Sequence, residues 1–171
     1  MTLEGAVADT LAAVDELCAL AEVRRVTVVG LRLGAAIAHR AASTSRAVDR
    51  LVMWDPVADG AAYLRELGAP AGAAHNAAAV GGFPMSARLR AEIDALRPDA
   101  FDPVPARVLV VSSDGAEKHG RLAARVGTAD RPASVESRPG PTAWADQAAL
   151  GVGAIPTEAL AHIVEWMDGT A

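Results

Sequence analysis

The residues best placed to do chemistry lie in a glycine-framed turn, Gly30-Leu31-Arg32-Leu33-Gly34. The β-branched run Val26–Val29 precedes this turn, and a stretch of small, helix-forming residues follows it. Glycines let the backbone turn steeply and let the helix pack close, so Arg32 is expected on a sharp strand-to-helix turn. A guanidinium beside the N–H groups of a helix N-terminus suits a carboxylate or phosphate ligand. The alternative is an internal ion pair of Arg32 with Asp55 or Asp114 that fills the same space.

Two aspartates each follow a short apolar run. Asp55 comes after Leu51–Trp54, and Asp114 comes after Val108–Val111. Because the carboxyl ends of parallel strands meet at one edge of a sheet, these carboxylates are candidates for paired acid–base chemistry. A proline follows the first and a glycine the second, which is also typical of aspartates that cap turns. Both interpretations remain open at this stage.

Other groups with chemical potential depend on what approaches them. Ser112 and Ser113 are nucleophile candidates only if a histidine lies nearby, and otherwise they are turn residues. The chain has four histidines, of which His119, just after Asp114, is the one expected near this edge; the four are His39, His75, His119 and His162. Trp144 is a candidate for stacking on a bound ligand, the alternative being that it folds back onto the sheet.

The elements that must position these residues follow from hydrophobic periodicity. Spacings of three and four predict a first helix capped by Thr2, with Cys18 on its apolar face. Strands are predicted at 26–29, 51–54, 108–111 and 134–137. Helices are predicted at 33–42, near 63–67, after Ser86 as far as Pro98, at 118–126, and at 157–167, the last burying Leu160, Ile163, Val164 and Met167. This alternation predicts an α/β fold with a mostly parallel sheet and flanking helices. A single domain over 1–171 is expected, with a cap-like excursion at about 57–100.

The composition and charge of the chain argue against several classes of function. The 171 residues are 51% hydrophobic but only 4% aromatic, and the net charge of −5 is scattered along the chain. No nucleic-acid footprint, polybasic membrane patch or membrane-spanning apolar run is apparent. The acidic N-terminal stretch argues against a signal peptide. A single cysteine and the absence of metal-ligand spacing predict no disulfide, metal or cofactor, and a cytoplasmic location.

The order of elements resembles the C-terminal two-thirds of an α/β-hydrolase. Gly30-x-Arg32-x-Gly34 resembles the G-x-S-x-G nucleophile elbow of that superfamily, with arginine in place of serine. Together with Leu51-Val52-Met53-Trp54-Asp55-Pro56-Val57 and Gly60-Ala61-Ala62-Tyr63-Leu64-Arg65, the elbow resembles the hydrolase-like proteins associated with exosortase A systems.

This resemblance implies a triad that the chain does not complete. Arg32 stands at the nucleophile position, where a permanently protonated guanidinium cannot attack a carbonyl. The acid position corresponds to Asp114, with Asp55 as an alternative, but the 139–153 loop that should carry the histidine has none. The leading hypothesis is a catalytically degenerate homologue acting as a binding or assembly subunit, with Arg32, Leu33 and Trp144 contacting an anionic small molecule. The alternative is a small esterase or thioesterase using non-standard or partner-supplied residues.

The resemblance also implies a partial fold that lacks the first strands of the superfamily. The strand at 26–29 would then have an uncovered edge, which favours pairing with another chain. A homo-oligomer, a partner subunit or a truncated reading frame would each account for this. A Rossmann phosphate loop is a weaker alternative, because Arg32 replaces the glycine that lets the backbone approach a pyrophosphate.

Overall fold

The computed structural model describes residues 2–68, 79–80, 83–140 and 155–169. The helices are α1 (Leu3–Leu20), α2 (Leu33–Thr44), α3 (Gly60–Glu66), α4 (Ala87–Asp94), α5 (Gly120–Val126) and α6 (Thr157–Asp168). The strands are β1 (Val26–Leu31), β2 (Val48–Trp54), β3 (Ala79–Val80), β4 (Phe83–Pro84), β5 (Arg107–Ser112) and β6 (Ser134–Ser137). Most of the 139–153 loop, and with it Trp144, lies outside the described residues, as does most of the stretch at 68–82.

Four strands form a parallel sheet in the order β1-β2-β5-β6. The predicted α/β class and parallel sheet are confirmed. Val29 pairs with Val52, which in turn pairs with Leu109, so the carboxyl ends of β1, β2 and β5 lie along one edge. β3 and β4 form a separate antiparallel pair. The chain thereby brings the turns that follow β1, β2 and β5 side by side.

The sheet is covered on both faces, which explains the uninterrupted apolar runs of β2 and β5. Alternate residues Leu51, Met53, Val108 and Val110 pack into a core shared with α1 to α5. The intervening residues Val52, Trp54, Leu109 and Val111 pack against Ala159, Ile163 and Trp166 of α6. Strand alternation therefore separates two cores, and α6 is the described helix that covers the second face.

Two predicted helix caps are confirmed. The Thr2 hydroxyl accepts a hydrogen bond from Gly5 N at 2.9 Å at the start of α1. The Ser86 hydroxyl accepts one from Leu89 N at 3.2 Å at the start of α4. Each side chain satisfies a backbone donor that the first helical turn leaves without a partner.

The buried face predicted for α6 is partly wrong. Leu160 and Val164 were expected in the core, but they are 41% and 50% exposed. Ala159, Ile163 and Trp166 form the buried stripe instead. Trp166 is by far the largest apolar side chain of the helix, and its packing on the sheet beside Arg50 and Arg107 leaves the two aliphatic residues outside the buried stripe. Among the described helices, none combines the length and apolarity needed to cross a bilayer.

Candidate functional site

The turn between β1 and α2 has the backbone of a strained elbow. Arg32 occupies the N-cap of α2 with φ 53° and ψ −120°, a conformation that residues other than glycine rarely adopt. Its N–H donates to the Trp54 carbonyl at 2.9 Å, and its carbonyl accepts from Ala35 N at 3.1 Å and Val57 N at 3.3 Å. Strand β2 and helix α2 thus hold the strained residue from both sides.

The two glycines of the elbow have different roles. A Cβ on Gly30 would lie 2.5 Å from the Cα of Ala35, so β1 and α2 approach closely only because this residue is glycine. A Cβ on Gly34 would meet no atom within 4 Å. The prediction for Gly30 is confirmed, whereas Gly34 is not required for close packing, because its missing side chain would point into open space.

The Arg32 side chain is engaged by helix α3. Its guanidinium forms an ion pair with the Glu66 carboxylate and lies over the Tyr63 ring, 5.4 Å from the ring centre. Only 16% of the Arg32 side chain is exposed, against 46% of Glu66. Burial raises the pKa of Tyr63, and the neighbouring guanidinium partly opposes that shift. An internal ion pair at Arg32 was one of the two interpretations of the sequence, but the partner is Glu66 rather than Asp55 or Asp114.

Helix α3 is brought to the elbow by a close contact that the sequence analysis missed. A Cβ on Gly60 would lie 1.6 Å from the Ile93 carbonyl oxygen of α4, and Gly60 N donates to the Leu96 carbonyl at 3.1 Å. Tyr63 and Glu66 are three residues apart and therefore share a helix face. This spacing was the signal in the sequence that could have identified them as joint partners of Arg32. The glycine at the start of α3 therefore fixes the helix that neutralises Arg32.

Asp55 is buried at the carboxyl edge of the sheet and is 3% exposed. Its backbone has φ 42°, and its N–H donates to the Val111 carbonyl at 2.9 Å. One carboxylate oxygen, Oδ1, accepts from Ser113 N at 2.7 Å, while Oδ2 is buried without a hydrogen bond to any described residue. Asp55 therefore caps a turn, as one interpretation proposed, but the turn belongs to the neighbouring strand β5.

The remaining candidates near this edge do not assemble into a nucleophile and a base. Asp114 is exposed at the surface. Ser113 Oγ accepts from the Trp54 indole N–H at 3.3 Å, and Ser112 Oγ is buried without a hydrogen bond to a described residue. His119 is buried at the start of α5. The two serines are therefore held as turn residues, and the described contacts give neither of them a histidine base.

Two of the other histidines, His39 and His162, contact neighbouring residues. His39 Nε2 lies 2.8 Å from the Asp102 carbonyl and its ring packs against Phe101, with 5.0 Å between ring centres. Burial lowers the pKa of His39, and the hydrogen bond to the Asp102 carbonyl partly opposes this shift. His162 Nδ1 lies 3.2 Å from an Arg138 guanidinium nitrogen. His75 lies outside the described residues.

Leu33, named with Arg32 and Trp144 as a ligand contact, is half-buried and packs against the main core. Trp144 is not among the described residues. In the part of the chain that the structure describes, no group of three histidine, cysteine, aspartate or glutamate side chains is arranged to hold a metal ion. Of the three proposed ligand contacts, the structure therefore describes Arg32 and Leu33, and of these two Arg32 carries the charge that could bind an anion.

Strand β1 is an outer strand of the described sheet. Val29 and Leu31 lie beside Val52 and Trp54 in register and point to the face that α6 covers over β2 and β5. Over β1 this face is open, since Val29 is 46% and Leu31 40% exposed. The strand therefore presents apolar side chains next to an edge that no described strand pairs with.

No protein-family model and no curated protein matches this chain. Among solved structures, its fold is similar to the esterase domain of a Rhodothermus marinus protein, with a TM-score of 0.55 and 21% identity over 81% of this chain and 59% of that domain. It is also similar to a hypothetical protein from Pseudomonas aeruginosa, with a TM-score of 0.58 and 16% identity over 95% of this chain and 68% of the other. The chain thus spans 59% of the esterase domain. These similarities show that the chain shares the α/β fold of the two proteins.

Proposed function

We propose that this protein is a catalytically degenerate α/β-hydrolase homologue that acts as a binding or assembly subunit. The observation that carries the proposal is Arg32 at the strained elbow, with its guanidinium held by Glu66 and Tyr63. In a serine hydrolase the residue at this position of the elbow is the nucleophilic serine. A guanidinium stays protonated and has no lone pair available for attack on a carbonyl.

The general-base role also lacks a carrier. The sequence from Pro139 to Ala154 contains no histidine to serve as the general base. Asp55 uses Oδ1 to accept the Ser113 N–H, and Asp114 is exposed. Acyl transfer requires a nucleophile that a base can deprotonate. The arrangement of the described groups therefore favours binding over catalysis.

Arg32 is the proposed anchor for an anionic small molecule, together with Leu33 and Trp144. Glu66 already shows the kind of group to which this guanidinium donates, namely a carboxylate. Because the Glu66 side chain is 46% exposed, a ligand carboxylate can replace it without reorganising the core. Exchanging Glu66 for glutamine removes the competing charge, so the variant is expected to bind such ligands more tightly than wild type.

For assembly, we propose that a second copy of the chain pairs along β1. Antiparallel pairing of two β1 edges would satisfy the backbone groups of both and cover Val29 and Leu31. Val29→Lys is then expected to shift a dimer to monomer in sedimentation velocity. Leu20→Lys, at an exposed apolar residue near the end of α1, is the matched control and should leave the dimer intact. A monomeric wild-type protein would contradict self-association.

Because the sequence resembles hydrolase-like proteins associated with exosortase A systems, we further propose that the assembly role belongs to a system of that type in the cytoplasm. A restored hydroxyl at the elbow tests the loss of catalysis. Arg32→Ser supplies a hydroxyl but no histidine, so hydrolysis of nitrophenyl esters by this variant is expected to stay at the rate of buffer. Turnover by Arg32→Ser well above buffer would contradict the missing base.

A further inference from the structure

We propose a second anion site at the opposite end of the sheet, where a soluble diphosphate group binds among arginines at the amino ends of the strands. Five arginines line clefts there: Arg25, Arg46, Arg50, Arg107 and Arg131. They come from the segments that lead into or begin β1, β2, β5 and β6. Because Arg32 lies at the carboxyl edge, this inference stands independently of the proposed function.

The clefts adjoin one another and share residues. One has a volume of about 450 Å³ and is lined by Arg25, Asp49, Arg107 and Arg131, with Trp166 on its wall. A second, of about 490 Å³, is also lined by Arg25, Asp49 and Arg131. A third, of about 210 Å³, again includes Arg25 and Asp49. Volumes of this order accommodate a small phosphorylated molecule.

The charge of the residues that line the three clefts is opposite in sign to that of the whole chain. Five arginines against two aspartates, Asp49 and Asp130, leave the lining of the three clefts with a formal charge of +3. The full chain carries −5. Clefts lined mainly by one sign of charge concentrate the field and attract counter-ions. The clefts therefore select anions despite the acidic character of the chain.

Two of the arginines have structural roles. Arg50 donates to the Trp166 carbonyl at 3.4 Å, in the last turn of α6, and its guanidinium lies over the Trp166 ring. Arg107 lies over the same ring, with its Cζ 5.7 Å from the ring centre. These contacts orient the wall of the first cleft. Trp166 itself is almost fully buried, which leaves no ring face for a base to stack on and points to the phosphate groups as the recognised part.

Arg25 and Arg131 carry the proposed recognition. The Arg25 side chain is 73% exposed and its pair with Asp49 is long, at 3.5 Å. Arg131 donates from one guanidinium nitrogen to the Pro105 carbonyl at 3.0 Å, which fixes the side chain, and among the described residues its other donors have no acceptor. Guanidinium forks match phosphate oxygens in pairs. A diphosphate, with more charge and more acceptor oxygens than a monophosphate, can engage arginines from two segments at once.

Isothermal titration with inorganic pyrophosphate, at constant ionic strength and without divalent cations, tests the site. Wild type is expected to bind pyrophosphate saturably and more tightly than inorganic phosphate. Arg25→Gln and Arg131→Gln should each weaken pyrophosphate binding about tenfold, the loss expected for one charge-assisted contact. Arg121→Gln is the matched control, since this exposed arginine lies on α5, which follows the carboxyl end of β5. Its affinity should equal that of wild type.

A variant that is expected to bind pyrophosphate more tightly distinguishes a loss of the site from a general loss of the fold. Asp49→Asn removes the carboxylate that competes for Arg25, so pyrophosphate should bind several-fold more tightly. The proposal is overturned if wild type gives no saturable heat with millimolar pyrophosphate. It is equally overturned if Arg121→Gln weakens binding as much as Arg25→Gln, or if Asp49→Asn fails to tighten it.

Discussion

Replacing Gly30 with alanine is expected to destabilise the protein strongly, because backbone atoms fill the space that the new Cβ needs. The Cβ would lie 2.5 Å from both Ala35 Cα and Gly34 O, and 2.7 Å from Ala35 N. All three atoms belong to the first turn of α2. No flexible side chain can move aside, so relief requires the helix to move away from β1.

The size of the effect follows from these distances. Carbon atoms in contact normally lie about 3.5–4.0 Å apart. Overpacking typically costs about 1–3 kcal/mol, and backbone-to-backbone crowding at Gly30 puts the expected loss near the upper end, about 3 kcal/mol. For a domain of this size each kcal/mol changes the melting temperature by about 2–4 °C, so we expect a fall of about 6–12 °C.

Thermal unfolding followed by far-UV circular dichroism measures this loss, and Gly34→Ala is the matched control. A Cβ at Gly34 meets no atom within 4 Å, and alanine is favoured over glycine in a helix by about 0.5–1 kcal/mol. The control should melt at or slightly above the wild-type temperature. Equal melting of the two variants, or a Gly30→Ala protein as stable as wild type, would refute the close approach of β1 and α2 at the elbow.

Three further predictions concern stability. Because burial lowers the pKa of His39 below its ordinary 6.5, the unfolded chain takes up the proton first as pH falls. The contribution of His39 to the free energy of unfolding is therefore present above about pH 6.5 and is lost as the pH falls below that value, by at most about 1.4 kcal/mol per pH unit. In urea unfolding, the free energy of unfolding of His39→Gln should depend less on pH than that of wild type. Asp55→Asn keeps the acceptor for Ser113 N–H, so its free energy of unfolding should lie within about 1 kcal/mol of the wild-type value. Asp55→Ala removes the acceptor and should lower the free energy of unfolding by about 1–3 kcal/mol in the same assay. Gly60→Ala, whose Cβ would lie 1.6 Å from the Ile93 carbonyl oxygen, should lose about 3 kcal/mol or more by thermal unfolding, and unchanged stability would contradict the α3–α4 packing.

The strands could be predicted largely because β2 and β5 are buried on both faces and read as unbroken apolar runs. The first and last residues of the strands were harder to predict from the sequence. Strand β2 begins at Val48, but Asp49 and Arg50 interrupt the apolar pattern. Arg50 pairs with Thr27 of β1 and Arg107 of β5, whereas Asp49 falls at a register shift in the pairing with β1. For α6, periodicity gave the helix but not its orientation, because several apolar stripes were available and Trp166 decided between them.

At the candidate site, Arg32 could be predicted because the elbow is a local pattern within five residues. Its partner could not, because Glu66 lies 34 residues further along the chain. Helix α3, which carries Glu66, is positioned beside the elbow by tertiary packing, including the close approach of Gly60 to Ile93 of α4. The charge of Arg32 was enough to predict an acidic partner. Which acidic residue it is depends on how the helices pack against one another, and this packing could not be predicted from the sequence.

The proposal that the elbow arginine replaces catalysis with binding is tested by the turnover of a panel of nitrophenyl esters and acyl thioesters. Wild type and Arg32→Ala are measured together, in the same buffer. Neither protein is expected to exceed the rate of buffer alone, because Arg32 supplies no nucleophile and no histidine follows β6 within the loop at 139–153. Turnover by wild type that Arg32→Ala abolishes would contradict the proposal and make Arg32 part of a working active site.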